Sequence, residues 1–157
     1  MHIVRDAHPS EVDRLAAIWH DGWQDAHAAI LPVELARVRT LTSFAERLRA
    51  ALADTRVVGP DGAPLGFTMV KGDELYQLYV SAAARGSGVA AALLTDAEQR
   101  LAARGYPLTW LACAIGNQRA ARFYEKQGWL RVRTTTIHLD TPTGSFPLDV
   151  WRYEKSL

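Results

Sequence analysis

Cysteine is almost missing from this chain. Of 157 residues, Cys113 alone is a cysteine, which excludes an internal disulfide and any metal site built from clustered thiolates. An excess of either charge is missing too. Eighteen Lys and Arg against 17 Asp and Glu leave a formal net charge of +1, so bulk electrostatics draw the protein to neither nucleic acid nor an anionic membrane. No apolar run reaches the roughly 18 residues of a membrane span. The opening MHIVRDAHPSEVDR lacks the apolar centre of a signal peptide, and the expectation is a cytoplasmic protein. Repeats, linkers and low-complexity stretches are absent as well. The remaining make-up, 48% hydrophobic and 22% charged, is that of an ordinary globular chain. The length fits one domain over residues 1–157, with a buried core.

Residues 2–6 read as a short strand. Pro9-Ser10-Glu11 opens a helix with Ser10 as its N-cap, apolar at Val12, Leu15, Ala16, Trp19 and Trp23 and loosening at Gly22. Pro32 opens a second helical region, and Thr42 or Ser43 caps a third through Phe44, Leu48 and Leu52. Residues 55–58 form a short strand; 65–70 and 75–80 form a hairpin across Lys71-Gly72-Asp73. A helix over 88–104 stops at Gly105, 108–114 is a buried strand, and Asn117 caps a helix ending at Gly128. Residues 131–139 and 146–153 make a last hairpin. This order predicts an α/β (α+β) domain with one mixed sheet.

The junction Arg85-Gly86-Ser87-Gly88-Val89-Ala90 starts an alanine-rich helix with no acidic residue in its first turn. First-turn N–H groups lack intrahelical partners and carry the positive end of the helix dipole, so such a start suits a phosphate. Glycine lets the backbone approach the anion and Arg85 adds a forked cation, whereas an acidic cap would repel the ligand. A nucleoside-triphosphate loop needs Lys-Ser/Thr where Val89-Ala90 stand. A dinucleotide fingerprint matches formally through Gly86-x-Gly88-x-x-Ala91, but it needs a tight turn. Five residues separate Val80 from Gly86, and the strand ending at Ala114 offers no acid for a ribose.

The form Arg-x-x-Gly-x-Ala of residues 85–90 resembles the acetyl-CoA signature of the GCN5-related N-acetyltransferase (GNAT) superfamily. Leu78-Tyr79-Val80 is similar to the strand before that signature. The run Asn117-Gln118-Arg119-Ala120-Ala121-Arg122-Phe123-Tyr124-Glu125-Lys126-Gln127-Gly128-Trp129 resembles the family's second motif, departing only in Trp129 for Phe. The resemblance implies an acyl-CoA N-acyltransferase fold: a central, mostly antiparallel sheet with splayed fourth and fifth strands, flanked by helices. It also implies that the pantetheine arm of acetyl-CoA pairs in the gap with the backbone of Leu78 and Val80. Arg85, Gly86, Ser87, Gly88, Val89 and Ala90 would hold the pyrophosphate, and Asn117 would bond the pantetheine.

The expected reaction passes acetyl from the thioester directly to a primary amine in a ternary complex. An alkylammonium, with a pKa of roughly 10.4, must first lose its proton. Glu74 is the candidate base. It lies six residues before Val80, an even spacing that predicts a shared strand face, and its position resembles the catalytic glutamate of some family members. The Val80 N–H is the expected donor to the oxyanion. Tyr124 follows Asn117 by seven residues and so falls on nearly the same helix face; it is the candidate acid for the thiolate, as the resemblance also implies. A free phenol, pKa about 10, donates uphill to a thiolate whose acid has a pKa of about 8.5. Unless the site lowers the phenol's pKa, hydrogen bonding to the thiolate is therefore the larger part of its role.

Cys113, in an apolar strand without a neighbouring base, reads as core rather than nucleophile. The cluster before Leu31 supplies acceptor-pocket candidates Trp23, Asp25 and His27, the last two placed after the helix. A carboxylate at Asp25 would favour a cationic amine. His20 and His27 lack a third ligand, so no metal is expected. The expected acceptor is a small amine, an amino acid derivative or a peptide, with no nucleic-acid or membrane partner. The late hairpin offers an edge for a homodimer. The alternative is a non-catalytic acyl-CoA-binding sensor or scaffold of the same fold, against which the presence of both Glu74 and Tyr124 speaks.

Overall fold

In the computed structural model, which describes residues 2–157, seven strands join in one sheet. They are β1 (Val4–Asp6), β2 (Thr55–Val58), β3 (Gly66–Lys71), β4 (Glu74–Val80), β5 (Leu108–Ala114), β6 (Leu130–Thr141) and β7 (Gly144–Ser156). Their order is β1-β2-β3-β4-β5-β7-β6. Every neighbouring pair is antiparallel except β4–β5, which is parallel. Helices α1 (Val12–His27), α2 (Val33–Val38) and α3 (Leu41–Ala50) cover one face; α4 (Val89–Ala103) and α5 (Gln118–Lys126) cover the other. The expected mixed sheet flanked by helices is present. Among the described residues no helix is long and apolar enough to cross a membrane.

Period-two alternation assigns the strand side chains to the two layers. On β2, Val57 packs with Trp19 and Phe44, whereas Val58 packs with Val89 and Leu93. Covered on both faces, β3 buries five consecutive residues, Gly66 to Val70, and so shows no polar alternation. The apolar stripe of α1 is buried as its spacing predicts. Trp19 centres that layer, its ring 4.8 Å from Phe44 and 5.5 Å from Phe67.

Several local expectations are corrected. Ser10 is exposed and caps nothing. The neighbouring Glu11 organises this corner instead: its buried carboxylate accepts from the N–H groups of His8 (2.8 Å) and Gly62 (3.0 Å) and from both terminal nitrogens of Arg5 (3.0 and 2.7 Å). These bonds, that from Arg5 first, pull its pKa down to about 2. The cap of α3 is Thr40, whose hydroxyl accepts from the Ser43 N–H at 3.1 Å. The last hairpin is longer than expected: β7 pairs with β6 from Gly144 to Glu154 and with β5 from Val150 to Ser156.

Helix α1 does not loosen at Gly22 but continues to His27. A Cβ at Gly22 would lie 2.5 Å from Cδ1 of Tyr79, so the missing side chain makes room for an aromatic ring of β4. Alanine gains about 1 kcal/mol over glycine by helix propensity, while overpacking costs about 1–3 kcal/mol. Gly22→Ala is therefore expected to destabilise the fold in urea unfolding; a stabilised variant would show that the ring yields freely.

Candidate active site at the parting of β4 and β5

Strands β4 and β5 pair at a single register position, Glu74 with Trp110, and diverge beyond it. On its other side β4 is paired with β3 as far as Gly66–Val80, and the Ser81 N–H donates to the Leu65 carbonyl at 2.8 Å. Backbone groups alternate in direction along an antiparallel strand. Those of Tyr79 and Gln77 therefore point to β3, and those of Val80 and Leu78 point toward the gap, where β5 has turned away. An inner strand thus presents an edge, and Gln77 to Val80 are only half-buried in mid-sheet.

That edge runs into the start of α4. Gly88, at φ +87°, is the N-cap, and no side chain caps the turn or places an acid in it. Gly86 has φ +77°, a left-handed conformation that favours glycine. The loop is braced elsewhere: His2 Nε2 lies 2.6 Å from the Ser87 carbonyl oxygen, and the Ser87 hydroxyl donates to the Ala84 carbonyl. Asn117 caps α5, its Oδ1 accepting from the Ala120 N–H at 3.3 Å.

Asp25 and His27 both lie within α1, not after it, and Asp25 offers no free charge to an acceptor. Its carboxylate is 2.8 Å from an Arg85 guanidinium nitrogen and 3.2 Å from one of Arg119. Hydrogen bonds from Arg119 and Arg85 hold its carboxyl below the usual range. Asp25 thereby ties α1 to the glycine loop and to α5.

A cavity of about 480 Å³ passes through the sheet at the gap. On the α4–α5 face it is lined by Val89, Phe123 and Tyr124, and on the other by His27, Arg39, Arg47 and Glu74. The Tyr124 hydroxyl has no protein hydrogen-bond partner among the described residues, and burial pushes its pKa well up. Beside it, burial pushes the Cys113 thiol up to about 12, as suits a packing residue. Trp23 is in the core and lines the cavity. His27 Nδ1 lies 3.4 Å from the Tyr79 hydroxyl, and burial lowers the imidazole to about 4, so the ring is neutral at pH 7. Arg39 and Arg47 carry no motif and were not expected here, and Tyr79 was expected only as part of the strand before the signature. The one hint is Arg47 itself, three residues after Phe44 on the apolar stripe of α3.

Glu74 and Val80 do not share a face. Val70 pairs with Leu75 but Met69 pairs with Gln77, so β4 carries one extra residue at Tyr76. This bulge reverses the alternation. Leu78 and Val80 pack with the α4 layer, whereas Tyr76 packs on the α1–α3 layer. Leu75 packs toward α4, which turns Glu74 to the α1–α3 side. The cavity therefore receives Glu74 from one face and Tyr124 from the other. Burial raises Glu74 to about 7, against the partial opposition of Lys71.

Residues 15–129 match the acetyltransferase (GNAT) family. The chain belongs to that family. It is 32% identical over 120 residues to a protein named uncharacterized N-acetyltransferase from Mycobacterium tuberculosis, which covers 71% of this chain and 77% of that one. A GCN5-related N-acetyltransferase structure from Rhodopseudomonas palustris superposes with TM-score 0.78 and 25% identity, covering 100% of this chain and 96% of that one. The fold is shared as well with the PaiA N-acetyltransferase of Thermoplasma acidophilum, solved in complex with coenzyme A (TM-score 0.68, 18% identity, 100% and 99% covered). The GNAT resemblance of the two sequence motifs is thus borne out, and with it the assignment as an acetyl-CoA-dependent N-acetyltransferase.

The raised Glu74 carboxyl has a consequence for stability. Between its ordinary value of 4.5 and about 7, the folded protein keeps a proton that the unfolded chain has released, so this group makes stability fall as pH rises through that window. Glu74→Gln removes the fall. Urea unfolding from pH 4.5 to 8 is expected to show the variant gaining on the wild type up to about pH 7 and running parallel above it; curves parallel throughout would contradict the burial of this carboxyl.

Proposed function

We propose that residues 1–157 act as a single domain that transfers acetyl from acetyl-CoA to a primary amine by direct attack, the amine belonging to a small molecule, an amino acid derivative or a peptide. The observation that carries this reading is the unpaired edge of β4 at Leu78 and Val80 running into the uncapped start of α4. An arm of amide units ending in a pyrophosphate is complementary to both, strand edge to amides and helix start to anion. The coenzyme A complex of the Thermoplasma acidophilum relative supports the same reading.

Bound acetyl-CoA supplies an acyl group activated as a thioester. Arg85 and the backbone of Gly86, Ser87, Gly88, Val89 and Ala90 hold the pyrophosphate. Asn117 contributes its side-chain amide N–H groups to the arm, because its Oδ1 is committed to the helix cap. The phosphate end lies beside Val80, so the far end of the arm lies deeper along β4. This order gives the Val80 N–H to the arm and moves polarisation of the acetyl carbonyl to the Leu78 N–H.

Tyr124 reaches the sulfur from the α5 face and donates a hydrogen bond there. Burial lifts this phenol, but it lifts a thiol in the same cavity as well, as Cys113 demonstrates. The unfavourable gap between phenol and thiol is therefore not relieved, and the hydrogen bond to the thiolate is the larger part of the Tyr124 role. Glu74 takes the amine proton from the opposite face, directly or through water. A carboxyl at about 7 is a better base than an exposed glutamate and is still ionised in about half the molecules at neutral pH.

Free-thiol release from acetyl-CoA over a panel of amines tests the proposal. The wild type is expected to turn over at least one amine, and Tyr124→Phe is expected to lower kcat by about 10²-fold with the acetyl-CoA KM little changed. Wild-type kcat in that variant would remove Tyr124 from the chemistry. Tight coenzyme A binding with no turnover of any amine would favour a sensor.

A further inference from the structure

The acceptor side of the cavity holds two guanidiniums that no carboxylate pairs among the described residues. Arg39, between α2 and α3, is 5% exposed. Among the described residues its guanidinium makes one protein hydrogen bond, to the Asp140 carbonyl on β6, at 3.2 Å. Arg47, on α3, donates to the Tyr76 hydroxyl at 2.9 Å and lies 4.3 Å from the Trp19 ring centroid. Each guanidinium has five N–H donors, so most of this capacity is unspent. The other shielded arginines do have acids: Arg5 pairs with Glu11, Arg56 with Asp96 and Arg152 with Glu154, and Arg100 lies 3.9 Å from Asp96.

An unpaired guanidinium taken out of water is costly, and here two like charges line the same cavity. Burial, and after it the charge of Arg47, depresses the Arg39 guanidinium. Both arginines also act electrostatically on the Tyr79 phenol, and Tyr79 acts in turn on Tyr124. Arg39 and Arg47 line the same cavity as Glu74 and Tyr124, and Arg47 bonds Tyr76 in the α1–α3 layer, on the face of the sheet that carries Glu74.

We propose that Arg39 and Arg47 bind a carboxylate carried by the acceptor, so that the substrate is an amino acid-type amine rather than a polyamine or an uncharged amine. This rests on the acetyl-transfer reading above. A zwitterion matches the wall at both ends, ammonium toward Glu74 and carboxylate toward the arginine pair. Two forked donors suit the two oxygens of a carboxylate. The neighbouring Leu35, Leu139 and Leu148 add no donors for the third oxygen and second charge of a phosphate. Asp25, held by Arg85 and Arg119, does not cancel the positive wall.

Thiol release is measured for matched sets: L-amino acids, their carboxamides, their decarboxylated amines and their phosphonate analogues. The carboxylate member is expected to exceed the other three in kcat/KM by at least about tenfold, the worth of one charged hydrogen bond. Arg47→Gln should bring that ratio near one, and Arg39→Lys, which keeps the charge, should preserve part of it. A second readout does not need turnover. With coenzyme A present, the unreactive deaminated acids should raise the thermal midpoint of the wild type but not of Arg47→Gln, and their amides should raise neither.

Equal or better use of the amide, amine or phosphonate overturns the carboxylate site and leaves the enzyme reading standing. So does an acid-specific thermal shift that survives in Arg47→Gln. An acid-specific shift lost in Arg47→Gln, with no amine turned over, upholds the anion site and overturns the enzyme reading. Neither turnover nor shift overturns both.

Discussion

Between β4 and β5 the backbone pairing stops after Glu74 and Trp110, and the whole site is arranged around the groups left over. A sheet interior normally satisfies both edges of every strand, since an unpaired backbone group shut away from water costs about 1–3 kcal/mol. Here Leu78 and Val80 keep one edge open, and the gap is wide enough to hold a cavity of about 480 Å³. The rest of the sheet bears the load. β7 pairs with β5 from Leu108 to Ala114, and β3 holds β4 from the other side, so the parting does not spread. The N-cap of α4, Gly88, follows the last open strand position, Val80, after one short turn of helix, so an uncapped helix start succeeds a row of unused strand amides.

The bulge at Tyr76 divides the chemistry between the two faces. Without it, Glu74 would share the α4 side with Val80 and crowd the same layer as Tyr124. With it, the Glu74 carboxyl comes from the α1–α3 face and the Tyr124 phenol from the α4–α5 face. A donor and an acceptor of acetyl can then enter from opposite sides and meet in the gap, each next to the residue proposed to handle its proton. Burial serves both ends of this arrangement: it raises the Glu74 carboxyl to about 7, toward a base useful at neutral pH, and it keeps Tyr124 protonated.

The parts of this site that were legible in the sequence are local in the chain. The glycine loop, the uncapped start of α4 and the Asn117–Tyr124 face are each set by residues within a turn or two of one another. The parts that were not legible depend on distant partners. The extra residue of β4 is visible only against the register of β3. Gly22 reads as a break in a helix until the Tyr79 ring is placed against it. Asp25 reads as a free carboxylate until Arg85 and Arg119 close on it. Arg39 and Arg47 belong to no motif, and their shared wall exists only once α2, α3 and the β6–β7 hairpin have packed together.

The central claim is that the open edge of β4 is a binding edge. Amide hydrogen exchange, followed by NMR with and without coenzyme A, measures it residue by residue. The account predicts that the Leu78 and Val80 amides exchange fast in the free protein and slow sharply when coenzyme A is added. Gln77 and Tyr79, already bonded to β3, should change little. Protection spread evenly over all four residues, or no protection at Leu78 and Val80, would contradict it.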